Sequence, residues 1–388
     1  MKIFVFGLPH TKTLDPAVSN FTTCAFTSKV FYLCKMMYEL GHEVIHLGVE
    51  GSAPICSKHI SVTSHEQWNF LYGSKPKEEF YNIDVDGKYA AYMQAFAANS
   101  KRAILDNCKQ NYESIVCVTW GGAQQTACDG VNQFIVESGI GYPNPWANFR
   151  VYESYAWMHM HLGKENKFDG KTWYQCVIPN AFDTKLFGPT TYKKQPYLMY
   201  LGRLIESKGV HIACRAAAAS GHHIKIVGQG DPAPFMNDVA KGVVEYVPPV
   251  GAKERNELLR NAMAMVCPTQ YIEPFGGVAV EAQMAGCPVI STDFGVFNET
   301  VLHGITGYRC RTFEQFVWAI KNINKIDCGR CEEWAKTNFS LEKVAKMYEE
   351  FFKQIMNLNY SEGWALQDSS RTQLDWLYKE FPRLSRKQ

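Results

Sequence analysis

Short runs of β-forming residues alternate with helical segments along most of the chain. This alternation is typical of parallel sheets whose strands are joined by crossover helices, so we predict an α/β fold. In the first half we predict strands at 2–7, 43–48, 115–120 and 134–139, and helices at 24–40, 90–108 and 151–162. In the second half we predict strands at 198–203, 224–228, 243–247, 264–268 and 289–294, and helices at 210–220, 253–261, 278–285, 312–322 and 341–356.

A chain of 388 residues is long for one compact core and predicts two domains. The polar stretch at 188–195 marks the boundary, which gives a Rossmann-like N-terminal domain at 1–188 and a Rossmann-like C-terminal domain at 189–356. The remaining segment, 357–388, is rich in Trp, Tyr, Leu and Phe, and we expect it to pack back on the N-terminal domain. Two such sheets face each other across a cleft, where ligands of open α/β sheets bind.

Composition excludes several classes of partner. Lys and Arg number 40 against 38 Asp and Glu, so no basic field predicts binding to nucleic acid or to an anionic membrane. No apolar run approaches the roughly 18 residues that a membrane span requires, and the short apolar start does not resemble a signal peptide. The thirteen scattered cysteines suit free thiols in a reducing compartment, so we expect a cytoplasmic protein.

The segment 273–281, Glu-Pro-Phe-Gly-Gly-Val-Ala-Val-Glu, carries the strongest functional signal. It follows a predicted strand and opens a predicted helix. Gly276 and Gly277 leave the first helical amides uncovered, and those amides carry the positive end of the helix dipole. A pyrophosphate can dock there. Glu273 before the turn and Glu281 within the helix can then accept hydrogen bonds from hydroxyls on either side of it.

A second signal is the segment 201–209, Leu-Gly-Arg-Leu-Ile-Glu-Ser-Lys-Gly. Arg203 ends a predicted strand and Lys208 begins the next helix, so both cations are predicted at the same sheet edge as the glycine pair. Fixed cations there stabilise the charge of a departing nucleoside diphosphate without a metal. Gly228, in the Val-Gly-Gln-Gly turn, allows the backbone to approach a ligand closely, although many α/β loops share this feature.

In order along the chain, these motifs resemble the retaining GT-B glycosyltransferases of family 4. The resemblance rests on Val-Ile-Pro-Asn-Ala-Phe-Asp ending at Asp183, the Gly-Arg-x4-Lys-Gly and Val-Gly-Gln-Gly turns, Glu-x7-Glu, and Ala-Gly-Cys-Pro-Val-Ile ending at Ile290. It covers 175–355 well and the N-terminal half only in outline. It implies the GT-B architecture and a hexose transferred, by a front-face mechanism, from a UDP- or GDP-sugar to a hydroxyl of a glycan or small-molecule acceptor.

The resemblance also implies roles for individual residues. Arg203 and Lys208 would grip the donor phosphates, and Glu273 would bind hydroxyls of the transferred sugar. The residues under and around the donor would be Phe275, Gly276, Gly277 and Val278, with Gly228 close by. Glu281 would bind the ribose, and the segment around Tyr246 and Val247 would face the base. The nucleotide sugar is a substrate, and no metal or other cofactor is expected.

The N-terminal half departs from the family pattern. Relatives often carry a glycine pair after the first strand and a histidine at the end of the strand that here finishes at Trp120, which cannot accept a proton. His10 and His159 are candidates on the acceptor side, although a structural role is the commoner one for a single histidine. Asp84 and Asp86 match a metal-binding D-x-D pattern but lie away from the donor motifs, and isolated carboxylate pairs are usually solvated.

Three alternative functions remain open. A nucleotide-sugar epimerase on the same fold would act on the donor without an acceptor. A non-catalytic binding protein would bind the donor without turnover, although retention of Glu273, Arg203 and Lys208 together argues against it. A phosphorylase would need a lysine-bound pyridoxal cofactor. The sequence names neither the nucleotide nor the acceptor.

Overall fold

The structure is a computed structural model that describes residues 1–17, 24–72, 87–167 and 175–360. In the N-terminal half the chain forms β1 (Lys2–Phe6), α1 (Ala25–Glu39), β2 (Glu43–Val49), β3 (Lys58–Thr63), α2 (His65–Tyr72), α3 (Gly87–Asn107), β4 (Ser114–Val118), α4 (Gln125–Cys128), β5 (Phe134–Ile140), β6 (Phe149–Tyr152), α5 (Tyr155–Lys164) and β7 (Gln175–Val177).

The C-terminal half has the same alternating pattern. Its elements are β8 (Tyr197–Leu201), α6 (Val210–Ser220), β9 (His223–Val227), α7 (Ala233–Met236), β10 (Val244–Val247), α8 (Ala252–Asn261), β11 (Ala264–Cys267), α9 (Gly277–Met284), β12 (Val289–Thr292), α10 (Phe297–Thr300), β13 (Gly307–Cys310), α11 (Phe313–Lys321), α12 (Cys328–Phe339) and α13 (Leu341–Tyr360).

The strands form two parallel sheets, one in each half. The N-terminal sheet has the order β3-β2-β1-β4-β5-β6-β7, and the C-terminal sheet has the order β10-β9-β8-β11-β12-β13. In both sheets the order reverses beside the first strand of the half, which is the arrangement of a doubly wound fold. The predicted α/β class with two Rossmann-like sheets is confirmed.

The last described helix returns to the N-terminal domain. Seven of its side chains, spaced so that they share one face, join the buried core of the N-terminal sheet around Ile3 and Val5: Leu341, Val344, Ala345, Tyr348, Phe351, Phe352 and Ile355. The sequence predicts this helix as the last element of the C-terminal domain, ending at 356. In the structure the chain crosses back near Ser340. Residues 361–388, most of the segment predicted to pack there, lie outside the described residues, as do Asp84 and Asp86.

One helix boundary was predicted wrongly. We had expected a helix over 151–162, but Val151 and Tyr152 end strand β6, and Ser154 is the N-cap of α5. The aromatic spacing of this stretch resembles a helical face, whereas the buried strand before it is only four residues long. Strands β3, β6, β7 and β13 and helices α2, α4, α7, α10 and α12 were not predicted.

The thirteen cysteines are all free thiols. Burial raises the pKa of both Cys117 and Cys287 to about 12, so these two remain protonated at neutral pH and pack as small hydrophobic side chains. Within the described ranges, no helix is long and apolar enough to cross a membrane.

Candidate functional site

The candidate site is built at the carboxyl edge of the C-terminal sheet. Strands β8 and β11 are parallel neighbours, so the loops that follow them leave the sheet side by side. The first loop carries Lys208, and the second, residues 268–276, carries Glu273; we call the second the β11 loop. Gly209 has φ +71°, and a Cβ there would lie 2.1 Å from the carbonyl oxygen of Pro268. Only glycine allows this approach, which brings Lys208 and Glu273 together.

Lys208 and Glu273 form a mostly buried ion pair, with side-chain exposures of 17% and 14%. The Lys208 Nζ also lies 5.1 Å from the centroid of the Tyr271 ring. Burial lowers the pKa of Lys208, but Glu273 and Tyr271 outweigh it and hold that pKa above its ordinary value. Burial, with the nearby carboxylate, raises the pKa of Tyr271 to about 12. At neutral pH Lys208 is therefore charged and Tyr271 keeps its proton.

Helix α9 begins directly after this loop with its first amides unhindered by side chains. Gly276 is the N-cap and has φ +68°, a left-handed conformation that favours glycine, and Gly277 is the first helical residue. The ring of Phe275 packs against two aromatic rings. Its centroid lies 6.2 Å from that of Phe182, in a stacked arrangement, and 5.8 Å from that of Phe339, edge to face. The positive end of the helix dipole therefore begins three residues after Glu273, the ion-pair partner of Lys208.

Glu281 lies in the second turn of the same helix. Its Oε1 accepts a hydrogen bond from Nη2 of Arg255, on α8, at 2.9 Å. The Glu281 side chain is 17% exposed. The sequence did not point to Arg255, because the two residues belong to different helices and no motif links them.

The other predicted donor residues lie at the same edge of the sheet. Gly228 follows β9, and a Cβ there would lie 1.9 Å from the carbonyl oxygen of Gly202, so the loops after β8 and β9 also touch. The Tyr246 hydroxyl donates to the Gly228 carbonyl at 3.2 Å, and Val247, next to it, is half-buried. Arg203 is exposed. These positions place Gly228 and Tyr246 together, one strand away from Lys208.

Two of the N-terminal candidates are in contact. The His10 and Trp120 rings have centroids 4.8 Å apart, and His10 is buried, which lowers its pKa to about 4. A neutral imidazole of that pKa is a weak base at neutral pH. His159 lies on α5, with its ring 6.0 Å from that of Tyr155.

The N-terminal domain reaches the β11 loop through the start of α5. The Ser154 hydroxyl donates to the carbonyl oxygen of Pro274 at 2.7 Å and accepts from the Trp157 amide at 3.1 Å. The Glu299 carboxylate accepts from the amides of Tyr155 and Ala156 at 2.9 and 2.8 Å. A serine before a helical run signals an N-cap in sequence, but its partner 120 residues away is visible only in the structure.

Comparison with known proteins shows what this part of the chain is similar to. Residues 182–339 match the model of the family described as Glycosyl transferases group 1. The glycogen synthase of Mycobacterium tuberculosis is 37% identical in a 123-position alignment that covers 29% of this chain and 30% of that protein. The chain thus matches about a third of the length of this curated relative.

Solved structures share the architecture over nearly the whole chain. Sucrose-phosphate synthase from Thermosynechococcus elongatus has a TM-score of 0.69 at 16% identity and covers 92% of this chain and 99% of its own. The Anabaena protein HepE, in complex with UDP and glucose, has a TM-score of 0.61 at 13% identity and covers 91% of this chain and 99% of its own. At these identities the likeness concerns the fold, and it confirms the predicted GT-B architecture.

Proposed function

We propose that this chain, whose residues 182–339 match the glycosyl transferases group 1 model, is a retaining glycosyltransferase. It would move a hexose from a UDP- or GDP-sugar to a hydroxyl of a glycan or small-molecule acceptor, without a metal. The observation that carries this proposal is the meeting of Lys208 and Glu273 beside the glycine-led start of α9.

The donor diphosphate would lie against the first amides of α9. Gly277 and Val278 supply N–H groups at the positive end of the helix, and Lys208 supplies a full charge beside them. Arg203, exposed after β8, would reach the same phosphates. Gly228 and Tyr246 lie one strand further along the edge, where the nucleoside would extend. The HepE structure holds UDP in the same fold, which supports a nucleoside diphosphate here.

Glu273 would orient the sugar. Its Oε2 is paired with Lys208, so Oε1 can accept a hydroxyl of the transferred hexose. The acidic residue thus links the sugar to the cation that holds the phosphate.

The reaction needs the bond between the sugar anomeric carbon and the β-phosphate oxygen to break, with its electrons passing to that oxygen. Lys208, Arg203 and the α9 amides would stabilise the charge that develops there. The acceptor hydroxyl would attack the anomeric carbon from the same face, and its proton would pass to the departing phosphate oxygen. This course retains the anomeric configuration and needs no protein base, which agrees with the low pKa of His10.

The test is a matrix of donors and acceptors. Purified protein is incubated with UDP- and GDP-hexoses in EDTA, with and without a panel of sugar and polyol acceptors. We expect a new glycoside with the anomeric configuration of the donor, formed only when an acceptor is present. A donor epimerised without acceptor would favour the epimerase, and tight binding with no turnover across the panel would favour a binding protein.

A further inference from the structure

Arg255 forms an ion pair with Glu281, the carboxylate that the family resemblance assigns to the donor ribose. Its Nη2 lies 2.9 Å from Oε1 of Glu281. A carboxylate has two oxygens, and this contact uses one of them. The side chain of Glu281 is nevertheless partly exposed, at 17%. One oxygen is therefore fixed by the protein while the carboxylate still reaches solvent.

Buried contacts of the neighbouring residues fix the position of helix α8, which carries Arg255. The next residue, Asn256, is buried and donates from Nδ2 to the carbonyl oxygen of Leu186 at 2.9 Å, and Leu259 is fully buried one turn later. The Nε–H of Arg255 itself is buried and has no hydrogen-bond partner among the described residues. The guanidinium is hydrogen-bonded to Glu281 through Nη2.

The charges of this ion pair act on a side chain of the N-terminal domain. Tyr32, on α1 of the N-terminal domain, has its pKa raised by burial first and then by the charges of Asp183, Glu281 and Asp15, while Arg255 opposes the shift. Charges that act on the Tyr32 hydroxyl must lie near it. Arg255 and Glu281 therefore lie near Tyr32 of the N-terminal domain.

We infer that Arg255 is a positioning residue that holds Glu281 so that its second oxygen accepts hydrogen bonds from the ribose hydroxyls of the donor. The pair makes the site selective for ribonucleotides over deoxyribonucleotides. This inference rests on the proposed function, because it assumes that a nucleoside diphosphate occupies the cleft.

The experiment measures nucleotide affinity with and without the ribose hydroxyls. Isothermal titration compares UDP with 2′,3′-dideoxy-UDP, and GDP with its dideoxy form, on the full chain. Wild-type protein should bind the better of the two ribonucleotides on the order of tenfold more tightly than its dideoxy analogue, as expected for hydrogen bonds to a carboxylate. In Arg255→Gln we expect that ratio to fall towards one, while dideoxy affinity changes by less than about twofold.

Three further variants sharpen the comparison. Glu281→Gln should lose the same preference, and the double variant should lose no more than either single one. Arg255→Lys keeps the charge and should restore part of the ratio. Arg215→Gln breaks a hydrogen-bonded ion pair with Asp238 on the exposed face of α6 and should behave as wild type.

The outcomes separate the two claims. An equal loss of affinity for both sugar forms in Arg255→Gln, or no loss at all, overturns the positioning role while leaving the proposed function standing. If Arg255→Gln does not fold, Arg255→Met takes its place, and a wild-type ratio in that uncharged variant would oppose the inference. Wild-type protein that binds neither UDP nor GDP overturns the proposed function and this inference together.

Discussion

Lys208 and Glu273 neutralise each other in a place that little water reaches. Removing one partner of such a pair leaves an uncompensated charge, whereas removing both does not. The pair therefore contributes both to the stability of the fold and to the proposed transfer reaction. Single and double variants can separate these two contributions.

We expect Lys208→Met to destabilise the fold by about 1–3 kcal/mol. This cost is smaller than for one partner of a fully buried pair, because both side chains are partly exposed. The double variant Lys208→Met/Glu273→Gln should recover most of that loss, yet transfer should remain at least about 100-fold below wild type. Urea unfolding and initial rates measure the two effects. Near-normal turnover in the double variant would contradict the assigned roles.

His10 makes the fold sensitive to acid. Its folded pKa is about 4 against an ordinary 6.5, so the unfolded chain takes up the proton first as pH falls. Stability is therefore full above pH 6.5 and declines between pH 6.5 and 4, by at most about 1.4 kcal/mol per pH unit for one group. His10→Gln should flatten this decline in urea-unfolding series. An unchanged slope would show that His10 does not titrate as its burial implies.

For single residues, the sequence predicts the position of those that a motif places at the end of a strand. Lys208 and Glu273 meet because their strands are neighbours and parallel, which the βα pattern implies. Tyr271 and Arg255 could not be predicted in the same way. Their positions depend on side-chain packing between loops and helices that are not adjacent in sequence.

Among the elements, the start of α9 matters most for the proposed site. Gly276 adopts φ +68°, and a Cβ there would lie 3.0 Å from the ring of Phe297. Any other residue would strain the backbone and push on a buried aromatic ring, which would shift the amides that follow.

Gly276→Ala should therefore lower the free energy of unfolding by about 1–2 kcal/mol and weaken binding of UDP or GDP on the order of tenfold. Gly221→Ala is a matched control, because Gly221 has φ +76° at the end of α6 with no atom within 4 Å of the added Cβ. Gly221→Ala should lower the free energy of unfolding through backbone strain but leave the affinity for UDP or GDP unchanged. Equal nucleotide affinities in the two variants would argue against a phosphate site at α9.

The predicted elements include the four-residue strands β10, β11 and β12, whereas strand β6 and the 12-residue helix α12 were missed. Helix α6 was predicted at its observed bounds, 210–220, because its apolar face is continuous and a glycine follows. Strand β6 was missed because four residues carry too little pattern to separate them from the aromatic helix that comes next.

In the whole molecule, the two domains are joined by more than the linker. Helix α13 crosses to the N-terminal core, and Ser154 and Glu299 connect the start of α5 with the β11 loop and α10. The β11 loop, which carries Glu273, is thus held partly by the domain expected to bind the acceptor. The sequence could not reveal this link, since it depends on how the two sheets are placed.

Ser154→Ala removes both a helix cap and the hydrogen bond to Pro274. We expect a loss of about 0.5–2 kcal/mol in stability together with a several-fold fall in kcat. Thr312→Ala removes a similar cap from α11, where Thr312 accepts from the Gln315 amide. The control should lose stability without losing kcat. A normal kcat in Ser154→Ala would mean that the β11 loop does not depend on the N-terminal domain.

The most direct test of the account is a crystal structure with UDP or GDP bound, whichever the protein binds more tightly. We predict that the diphosphate oxygens accept hydrogen bonds from the amides of Gly277 and Val278, with Lys208 beside them and the ribose on Glu281. A diphosphate bound in the N-terminal domain, or a start of α9 covered by protein in that complex, would contradict it.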